Sequence, residues 1–371
     1  MSKRALGIIN IEPSYVHVEG IEDYRPISAT SFMGRYRIID FIISNLTNSG
    51  VNNIEVQVKN RPRSTIQHIQ RTDYNINTKR GHIRILHGEK PIPNEIYNTD
   101  VASLMANLKY FEEDNSPYVI LAPSHFIYVQ DFSKMLDYHI ESKNDITVLY
   151  QNVNTANEDF LMCDTLDIDE NKVITNIDKN LGKGKRAKVS LETYIMSKKI
   201  FIDMIYAALS TSSLYSLSDI IADGLDVFKI GGYLHTGYAA CISTLNSYYK
   251  ASMDIKNEKE LSNIFSDDWP IYTATNDTCP TTYTKTSNVS NCVVGNGCII
   301  EGTVENCVIG RNVVVKEGAV IKDSIIMPDA LINKNVKMDK CVVDRLAIVT
   351  HIKALNGSEH APLYVKRGDR I

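Results

Sequence analysis

Residues 34–50, GRYRIIDFIISNLTNSG, indicate the fold of the first part of the chain. The apolar residues of this stretch recur at helical spacing, at Ile39, Ile42, Ile43 and Leu46. Gly50 marks the end of the helix, and apolar runs with strand character flank it at Ala5–Asn10 and Ile54–Val58. A strand, a long loop, a helix and a second strand are typical of a doubly wound sheet, which binds ligands at the carboxyl ends of its strands.

The alternation of strands and helices continues to about Tyr249. Further strands are predicted at Tyr118–Leu121, Ile146–Gln151, Val173–Ile177 and Val189–Met196. Helices are predicted at Asp40–Ser49, Val101–Phe111, Asp131–Ser142, Lys198–Leu209, Leu217–Leu225 and Ser243–Lys256. The sequence therefore predicts an α/β domain over residues 1–257, with helices on both faces of its sheet.

The pattern changes after residue 257. Residues 270–290, PIYTATNDTCPTTYTKTSNVS, are rich in Thr, Pro and Asn, and we predict a linker over residues 258–288. Residues 289–371 carry an apolar residue every six positions, with one three-residue insertion, at Val294, Ile300, Ile309, Val315, Ile321 and Met327. Another apolar or small residue follows four positions later, at Cys298, Val304, Val313, Ala319, Ile325 and Leu331. This repeat predicts a parallel β-helix, in which each coil buries its apolar face against the next.

Composition excludes several classes of protein. A chain of 371 residues favours two domains, and its net charge of −4 gives no reason to expect a nucleic-acid partner. The apolar run in the start, MSKRALGIIN, is too short for a signal peptide. No apolar run in the sequence is long enough to span a membrane, so we expect a cytoplasmic protein. The seven cysteines include no CxxC pair, which favours small core residues over disulfides or metal ligands.

Acyl transfer is a second functional class to weigh, because hexapeptide β-helices often occur in acyltransferases. Such enzymes typically deprotonate the acceptor with a histidine between coils. No histidine occurs between Tyr283 and Thr350, which disfavours this function.

Residues 34–50 closely resemble the GKYRIIDFxLSNxxNSG segment of the ADP-glucose pyrophosphorylases, the glucose-1-phosphate adenylyltransferases of bacterial glycogen synthesis. Val101–Asn107 and Phe132–Lys143 also resemble segments of that family, as does the hexapeptide region. The resemblance covers almost the whole chain. It implies a Rossmann-like, GT-A-like nucleotidyltransferase domain followed by a left-handed β-helix.

The loop after the first strand departs from the family. Nucleotidyl transfer needs backbone amides around the triphosphate, a metal ion at the α-phosphate and in-line placement of the sugar phosphate. The family supplies the amides with a GGxGxRLxPLT loop. Residues 11–22 read IEPSYVHVEGIE, with one glycine, no arginine before Arg25, and acidic residues that repel a triphosphate.

The metal-binding aspartates of the family are also missing. The first aspartate belongs to the family's (S/P)GDHIYxMDY segment. In an alignment without a gap His125 occupies its position, and in an alignment with a one-residue gap Ser124 does. Against WRDVGT, the second aspartate becomes Cys241. Mg²⁺ prefers hard oxygen ligands, so we expect no metal and no cofactor on this chain. Since each ~1.4 kcal/mol is a factor of ten, these losses cost catalysis at least about a thousandfold.

The residues that match the family's glucose 1-phosphate site are better preserved. The lysine of the family's (F/V)EKP segment matches Lys179, and the serine and tyrosine of SMGIYxF match Ser190 and Tyr194. The glycine of that motif has become Glu192. The resemblance implies a vestigial glucose 1-phosphate site, and the alternative for Lys179 is a solvated surface residue.

Three arginines form another group. Arg25 and Arg37 match family positions that are associated with effector response, and Arg345 resembles an arginine of the β-helix in the same anion pocket. The resemblance implies a phosphorylated effector, such as a sugar bisphosphate or AMP. Structural ion pairs are the alternative.

This chain keeps the scaffold of the family but lacks its triphosphate loop and its metal carboxylates. In this it resembles the non-catalytic D-type regulatory subunits of the family. Such a subunit joins a catalytic subunit, which holds Mg²⁺, in a heterotetramer. Two alternatives are an active nucleotidyltransferase with a rearranged site and a binding module that senses sugar phosphates or nucleotides.

Overall fold

A computed structural model describes residues 4–58, 61–87, 99–212 and 214–371. In its α/β part the elements follow in the order β1 (Ala5–Asn10), β2 (Ser31–Phe32), β3 (Tyr36–Arg37), α1 (Ile38–Asn48), β4 (Asn53–Val58), α2 (Arg63–Arg71), β5 (His82–His87), α3 (Asp100–Ala106), α4 (Leu108–Glu113), β6 (Tyr118–Pro123), β7 (Phe126–Tyr128), α5 (Phe132–Ser142), β8 (Ile146–Val153), β9 (Asp164–Ile168), β10 (Ile174–Lys179), β11 (Ala187–Ser197), α6 (Lys198–Thr211), α7 (Leu217–Asp223), β12 (Ile230–Leu234), β13 (Ala239–Cys241), α8 (Leu245–Asp254) and α9 (Glu258–Ile264).

A mixed sheet of nine strands forms the centre of this part. Strands β5, β4, β1 and β6 are parallel neighbours in that order, and β11 runs antiparallel between β6 and β8. The pairing of β1 with β6 places Asn10 opposite Pro123 at the carboxyl ends of both strands. The loops that follow these strands therefore meet at one edge of the sheet, where a doubly wound sheet binds ligands.

Helix α1 covers one face of the sheet as its sequence predicts. Its apolar stripe, with Ile39 and Ile43, packs in a core with β1 and β4, while α3 and α6 bury apolar residues on the opposite face. The backbone N–H of Arg37 donates to Asp40 Oδ2 at 2.8 Å, which satisfies an amide at the helix start. The α/β architecture is thus confirmed.

Several predicted elements differ in detail. The single helix predicted over Val101–Phe111 is two helices, because Asn107 interrupts it and donates from Nδ2 to the carbonyls of His87 and Ser103. The predicted linker, residues 258–288, contains α9 and the first β-helix strand at Thr282–Tyr283.

The remaining strands build a left-handed β-helix of three five-stranded parallel sheets, and each coil gives one strand to each sheet. These strands are β14 (Thr282–Tyr283), β15 (Asn288–Ser290), β16 (Val293–Val294), β17 (Ile299–Ile300), β18 (Thr303–Glu305), β19 (Val308–Ile309), β20 (Val314–Val315), β21 (Val320–Lys322), β22 (Ile325–Ile326), β23 (Leu331–Ile332), β24 (Lys337–Asp339), β25 (Cys341–Val343), β26 (Ile348–Val349), β27 (Ala354–Asn356) and β28 (Leu363–Val365).

The six-residue phase is interrupted by a five-residue step that recurs in successive coils, as from Val304 to Ile309, from Ile321 to Ile326 and from Met338 to Val343. Ile321 is buried in its core, but the next core position is Ile326 rather than the predicted Met327. Met327 instead faces the α/β part, and Leu331 is only partly buried whereas Ile332 is fully buried. A five-residue spacing at this turn explains both errors.

The two parts pack through a shared apolar core. Phe32, Ile38 and Phe41 contribute from the α/β part, and Val308, Ile325 and Val342 from the β-helix. Gly34 has φ +69°, and a Cβ there would lie 2.7 Å from the carbonyl oxygen of Ile309, so this contact requires glycine. None of the helices within the described ranges is long and apolar enough to cross a membrane.

Candidate functional site

The crevice at the carboxyl ends of β1 and β6 is occupied by the chain's own loop, residues 11–22. Val18 and Ile21 of this loop are fully buried in the core shared with the β-helix. Gly20 is pressed against the ring of Tyr364, since a Cβ there would lie 2.3 Å from Tyr364 Cε1. These contacts hold the loop down and direct Tyr15 into the crevice.

Tyr15 is the centre of a cluster of five side chains, which we call the crevice cluster: Tyr15, His125, Cys163, Glu192 and Cys241. The Tyr15 hydroxyl donates to Glu192 Oε1 and lies 3.2 Å from His125 Nε2. It also lies 3.6 Å from Cys163 Sγ, which is 3.7 Å from Cys241 Sγ. The crevice is therefore filled by side chains that bond to one another.

Two short strands bring the candidate metal positions together. Cys241 of β13 pairs with Phe126 of β7, and the N–H of Ile242 donates to the carbonyl of His125 at 2.9 Å. His125 and Cys241 thus lie side by side in the crevice cluster. Ser124 is also buried, and its hydroxyl has no hydrogen-bond partner among the residues that the structure describes.

Burial sets the charges of the crevice cluster. It lowers the pKa of His125 to about 3, so the imidazole is neutral near pH 7. It raises the pKa of Glu192 to about 7, and it raises the pKa of the Cys163 thiol well above its ordinary value. The cluster therefore offers a neutral imidazole, two thiols and one half-ionised carboxyl group.

This donor set does not fit Mg²⁺, which takes carboxylate and other oxygen ligands. Over the described parts of the chain, no group of three or more His, Cys, Asp or Glu side chains is arranged to hold a metal ion.

An irregularity in β11 turns Glu192 toward Tyr15. The pairing of β11 with β8 shifts register between Ser190 and Thr193, and Glu192 has φ +49°. This is the left-handed region, which favours glycine. Ser190 Oγ accepts the N–H of Glu192 at 3.1 Å, so the predicted substrate serine supports this turn.

Lys179 is neutralised by an acidic neighbour. It lies opposite Asp164 in the β9–β10 pair, and its ammonium group donates to Asp164 Oδ1. Burial, the largest influence, acts to lower the pKa of Lys179, but the charge of Asp164, the hydrogen bond to it and the charges of other carboxylates together raise the pKa above its ordinary value. Lys179 is therefore a paired cation rather than a free phosphate ligand.

Tyr194 lies nearby but inside the core. It is 5% exposed and packs on the sheet face opposite to that of Val189 and Ile195. Burial raises its pKa well above the ordinary value, with further contributions from Asp164 and Glu192. The structure thus brings Lys179, Ser190 and Tyr194 near one another in acidic surroundings, which disfavour an anionic ligand.

A second site lies between the two parts of the chain. A cavity of about 420 Å³, which we call the arginine cavity, is lined by the side chains of Arg35, Arg37, Arg71, Arg311 and Arg345. Arg37 Nη1 donates to the carbonyl of Ser64 at 2.7 Å, and Arg345 Nη2 donates to Asp329 at 2.9 Å. Burial, followed by the like charge of Arg345, lowers the pKa of Arg37 to about 10.

The arginine cavity contains unused donors. The Nε atoms of Arg311 and Arg345 are buried and lack a hydrogen-bond partner among the described residues. Concentrated guanidinium groups with free N–H donors are suited to phosphate and carboxylate ligands. The sequence predicted Arg37 and Arg345 as members of this site. It did not predict Arg311, and it did not predict Arg71 because helix α2 was not predicted.

Arg25 does not line this cavity, and its role in effector binding with Arg37 and Arg345 stays a prediction. It is 4% exposed, and its Nη2 donates to Asp344 Oδ1 at 2.8 Å. The other oxygen of Asp344 accepts the Tyr364 hydroxyl at 2.6 Å. Arg25 is thus one half of a buried ion pair that joins the α/β part to the β-helix.

Comparison with known proteins gives the family. Residues 25–258 match the nucleotidyl transferase family model, and residues 278–357 match the GlmU-like C-terminal hexapeptide model. A glucose-1-phosphate adenylyltransferase of Lachnospira eligens is 30% identical over 78% of this chain and 69% of its own length. The chain belongs to the glucose-1-phosphate adenylyltransferase family of nucleotidyl transferases.

Other relatives that resemble this chain carry a different name. The glycogen biosynthesis protein GlgD of Bacillus subtilis is 28% identical over 99% of this chain and 97% of its own length. GlgD of Geobacillus stearothermophilus is 28% identical over 86% of this chain and 83% of its own length. The predicted family membership is confirmed, and the chain is similar to proteins of both names.

Proposed function

We propose that this chain is a regulatory, largely non-catalytic subunit that pairs with a catalytic glucose-1-phosphate adenylyltransferase subunit. The partner would make ADP-glucose from ATP and glucose 1-phosphate for glycogen synthesis in the cytoplasm. The observation that carries the proposal is the hydrogen bond from Tyr15 to Glu192, because it closes the crevice in which a nucleotide and its metal would react.

The chemistry of the closed crevice supports this assignment. Cys241, and either His125 or Ser124, stand where the family resemblance places metal carboxylates, so we assign Mg²⁺ to the catalytic partner and no cofactor to this chain. The loop that fills the crevice carries Glu12 and Glu22, and Glu12 accepts the N–H of Ser28 at 3.2 Å. Its acidic groups would repel a triphosphate.

Assembly with the partner would use the β-helix and the adjoining sheet, in a heterotetramer. The β-helix carries exposed apolar side chains that an assembly would cover, at Tyr283, Ile299, Leu346 and Ile352. A regulatory effect requires that these contacts differ between the active and inactive states of the partner.

The arginine cavity would hold a phosphorylated effector, such as a sugar bisphosphate or AMP. Its position between the α/β part and the β-helix lets a bound anion stabilise one arrangement of the two. The Arg311→Gln variant of the assembled complex should need a higher effector concentration for half-maximal response, and Lys334→Met, on the exposed β-helix surface, should respond normally.

Co-expression with a catalytic subunit tests the assembly. A stable complex of fixed stoichiometry, seen by native mass spectrometry, is the expected result. The arginine cavity also favours a second candidate, a module that senses an anion without an adenylyltransferase partner. Effector binding by the lone chain together with failure to form the complex would favour that candidate.

A further inference from the structure

A second polar cavity lies at the amino-terminal edge of the central sheet, remote from the crevice. Its volume is about 690 Å³, which is within the range of small-molecule sites. The starts of β1, β4 and β5 line it, together with the loop that follows α4. Neither the crevice cluster nor the arginine cavity shares a side chain with it.

Basic side chains dominate one side of this edge cavity. Arg4, Arg80 and Arg84 line it, and in the described parts of the chain the guanidinium groups of Arg4 and Arg80 have neither a hydrogen bond nor an ion pair. Arg84 is fixed in position, because its guanidinium carbon lies 4.7 Å above the ring centre of Tyr110. Three guanidinium groups around one space can neutralise a dianion.

A buried carboxyl group lies beside these arginines. Glu55 is 1% exposed, and its Oε1 contacts His82 Nε2 at 2.9 Å and Arg84 Nη1 at 3.6 Å. Its Oε2 is buried without a hydrogen-bond partner among the described residues. A buried acceptor without a donor is costly, so a ligand that supplies a donor gains from it.

Glu113 and Asp114, the acidic residues on the far side, have partners of their own, and Glu113 Oε1 lies 3.8 Å from Lys109 Nζ. Asp114 accepts from Asn53 Nδ2 at 2.6 Å and from the N–H of Ser116 at 2.7 Å. The turn that carries Arg80 is held against β4, since a Cβ on Gly81 would lie 2.3 Å from the carbonyl oxygen of Asn52. The free cations and the unsatisfied acceptor are therefore placed by a defined framework.

We infer that the edge cavity binds a small phosphorylated polyol, whose phosphate lies between Arg4, Arg80 and Arg84 and whose hydroxyl group donates to Glu55. The phosphate dianion supplies the acceptors that the free guanidinium groups lack, and the hydroxyl supplies the donor that Glu55 Oε2 lacks. This site is independent of the proposed regulatory function.

Calorimetry on the full chain with ribose 5-phosphate tests the inference, in an Arg311→Gln background that weakens anion binding at the arginine cavity. Ribose 5-phosphate should bind at one site, and adding Arg80→Gln should weaken binding at least about tenfold. Arg80 is exposed, so this variant keeps the fold. Equal binding with and without Arg80→Gln would overturn the inference.

Further measurements test the hydroxyl group and the phosphate of the ligand separately. Glu55→Gln should raise the ratio of the Kd of ribose 5-phosphate to the Kd of inorganic phosphate, because the loss of a negative charge acts on both ligands but only ribose 5-phosphate loses a carboxylate acceptor for its hydroxyl group. Circular dichroism checks that this buried variant folds. Equal affinity for succinate would contradict the phosphate assignment, and equal affinity for ribose would contradict the need for an anion.

Discussion

The Tyr15 hydroxyl donates a hydrogen bond to the Glu192 carboxylate across a separation of 177 residues in sequence. One residue comes from the loop after β1, and the other from an irregular turn of β11 in the left-handed region. Their contact closes the crevice of an adenylyltransferase scaffold. The same loop continues into the core shared with the β-helix, so the closed crevice and the contact between the two parts depend on one segment.

The Tyr15→Phe variant removes the donor that faces Glu192. A buried carboxylate without its hydrogen bond costs about 1–3 kcal/mol, so the free energy of unfolding at pH 8 should fall by that amount. Urea denaturation measures this change. Tyr206→Phe, on an exposed side chain of α6, is the matched control and should change the free energy by less than about 0.5 kcal/mol. Equal effects of the two variants would show that the Tyr15 contact contributes nothing.

Glu192 should make the stability of the chain depend on pH. Its pKa rises from an ordinary 4.5 to about 7 through burial, so between these values the native state holds more protons than the unfolded state. The contribution of Glu192 to stability is full below about pH 4.5 and falls as the pH rises through 7. At ~1.4 kcal/mol per pH unit the total loss is roughly 3 kcal/mol.

The Glu192→Gln variant isolates this effect. His125, whose pKa is lowered to about 3, contributes in the opposite direction, but it is present in both proteins and cancels in their difference. The difference in unfolding free energy, wild type minus variant, should therefore decrease from pH 5 to pH 8. A constant difference would mean that Glu192 titrates at its ordinary pKa.

Asp164 should control whether Lys179 can bind a phosphate. The two side chains form an ion pair. The unmodified chain and the Lys179→Gln variant should therefore have the same low affinity for glucose 1-phosphate. Asp164→Asn should free Lys179 and raise the affinity, as measured by calorimetry. A loss of affinity in Lys179→Gln would show instead that the unmodified chain uses this lysine for the sugar phosphate.

The buried pair of Arg25 and Asp344 should be important for joining the two parts. Removing one partner leaves an uncompensated buried charge, so Arg25→Met should destabilise the chain by about 3–5 kcal/mol. Lys334→Met breaks an exposed pair with Glu317 at 3.8 Å and serves as the control, with no measurable change expected. Thermal unfolding of both variants checks this, and similar midpoints would contradict the role given to Arg25.

The sequence predicted those elements whose pattern is local and apolar. Helix α1 and the six-residue repeat follow from periodicity alone, and the structure has both. Helix α2, RSTIQHIQR, was missed because it is mostly polar, and the break at Asn107 depends on a contact with His87, which no local pattern shows. The five-residue step before Ile326 leaves Ile325 and Met327 in the core shared with the α/β part, a contact between distant segments that the repeat does not show.

The candidate site was predictable only in part. The loss of carboxylates at Cys241 and at His125 or Ser124 follows from the family resemblance. The contact between Tyr15 and Glu192 in this crevice could not be predicted, because it joins segments that are distant in sequence. Arg25 illustrates the same limit, because one arginine in a loop does not reveal whether its partner is a ligand or Asp344. Burial and pairing decide these roles.

The rate of ADP-glucose formation tests the central claim most directly. It should be measured with ATP, glucose 1-phosphate and Mg²⁺ for this chain alone, for a catalytic subunit alone, and for the complex of the two. The account predicts no turnover by this chain alone, and a higher kcat or a lower KM in the complex than in the catalytic subunit. Turnover by this chain alone at an ordinary enzymatic rate would contradict the account.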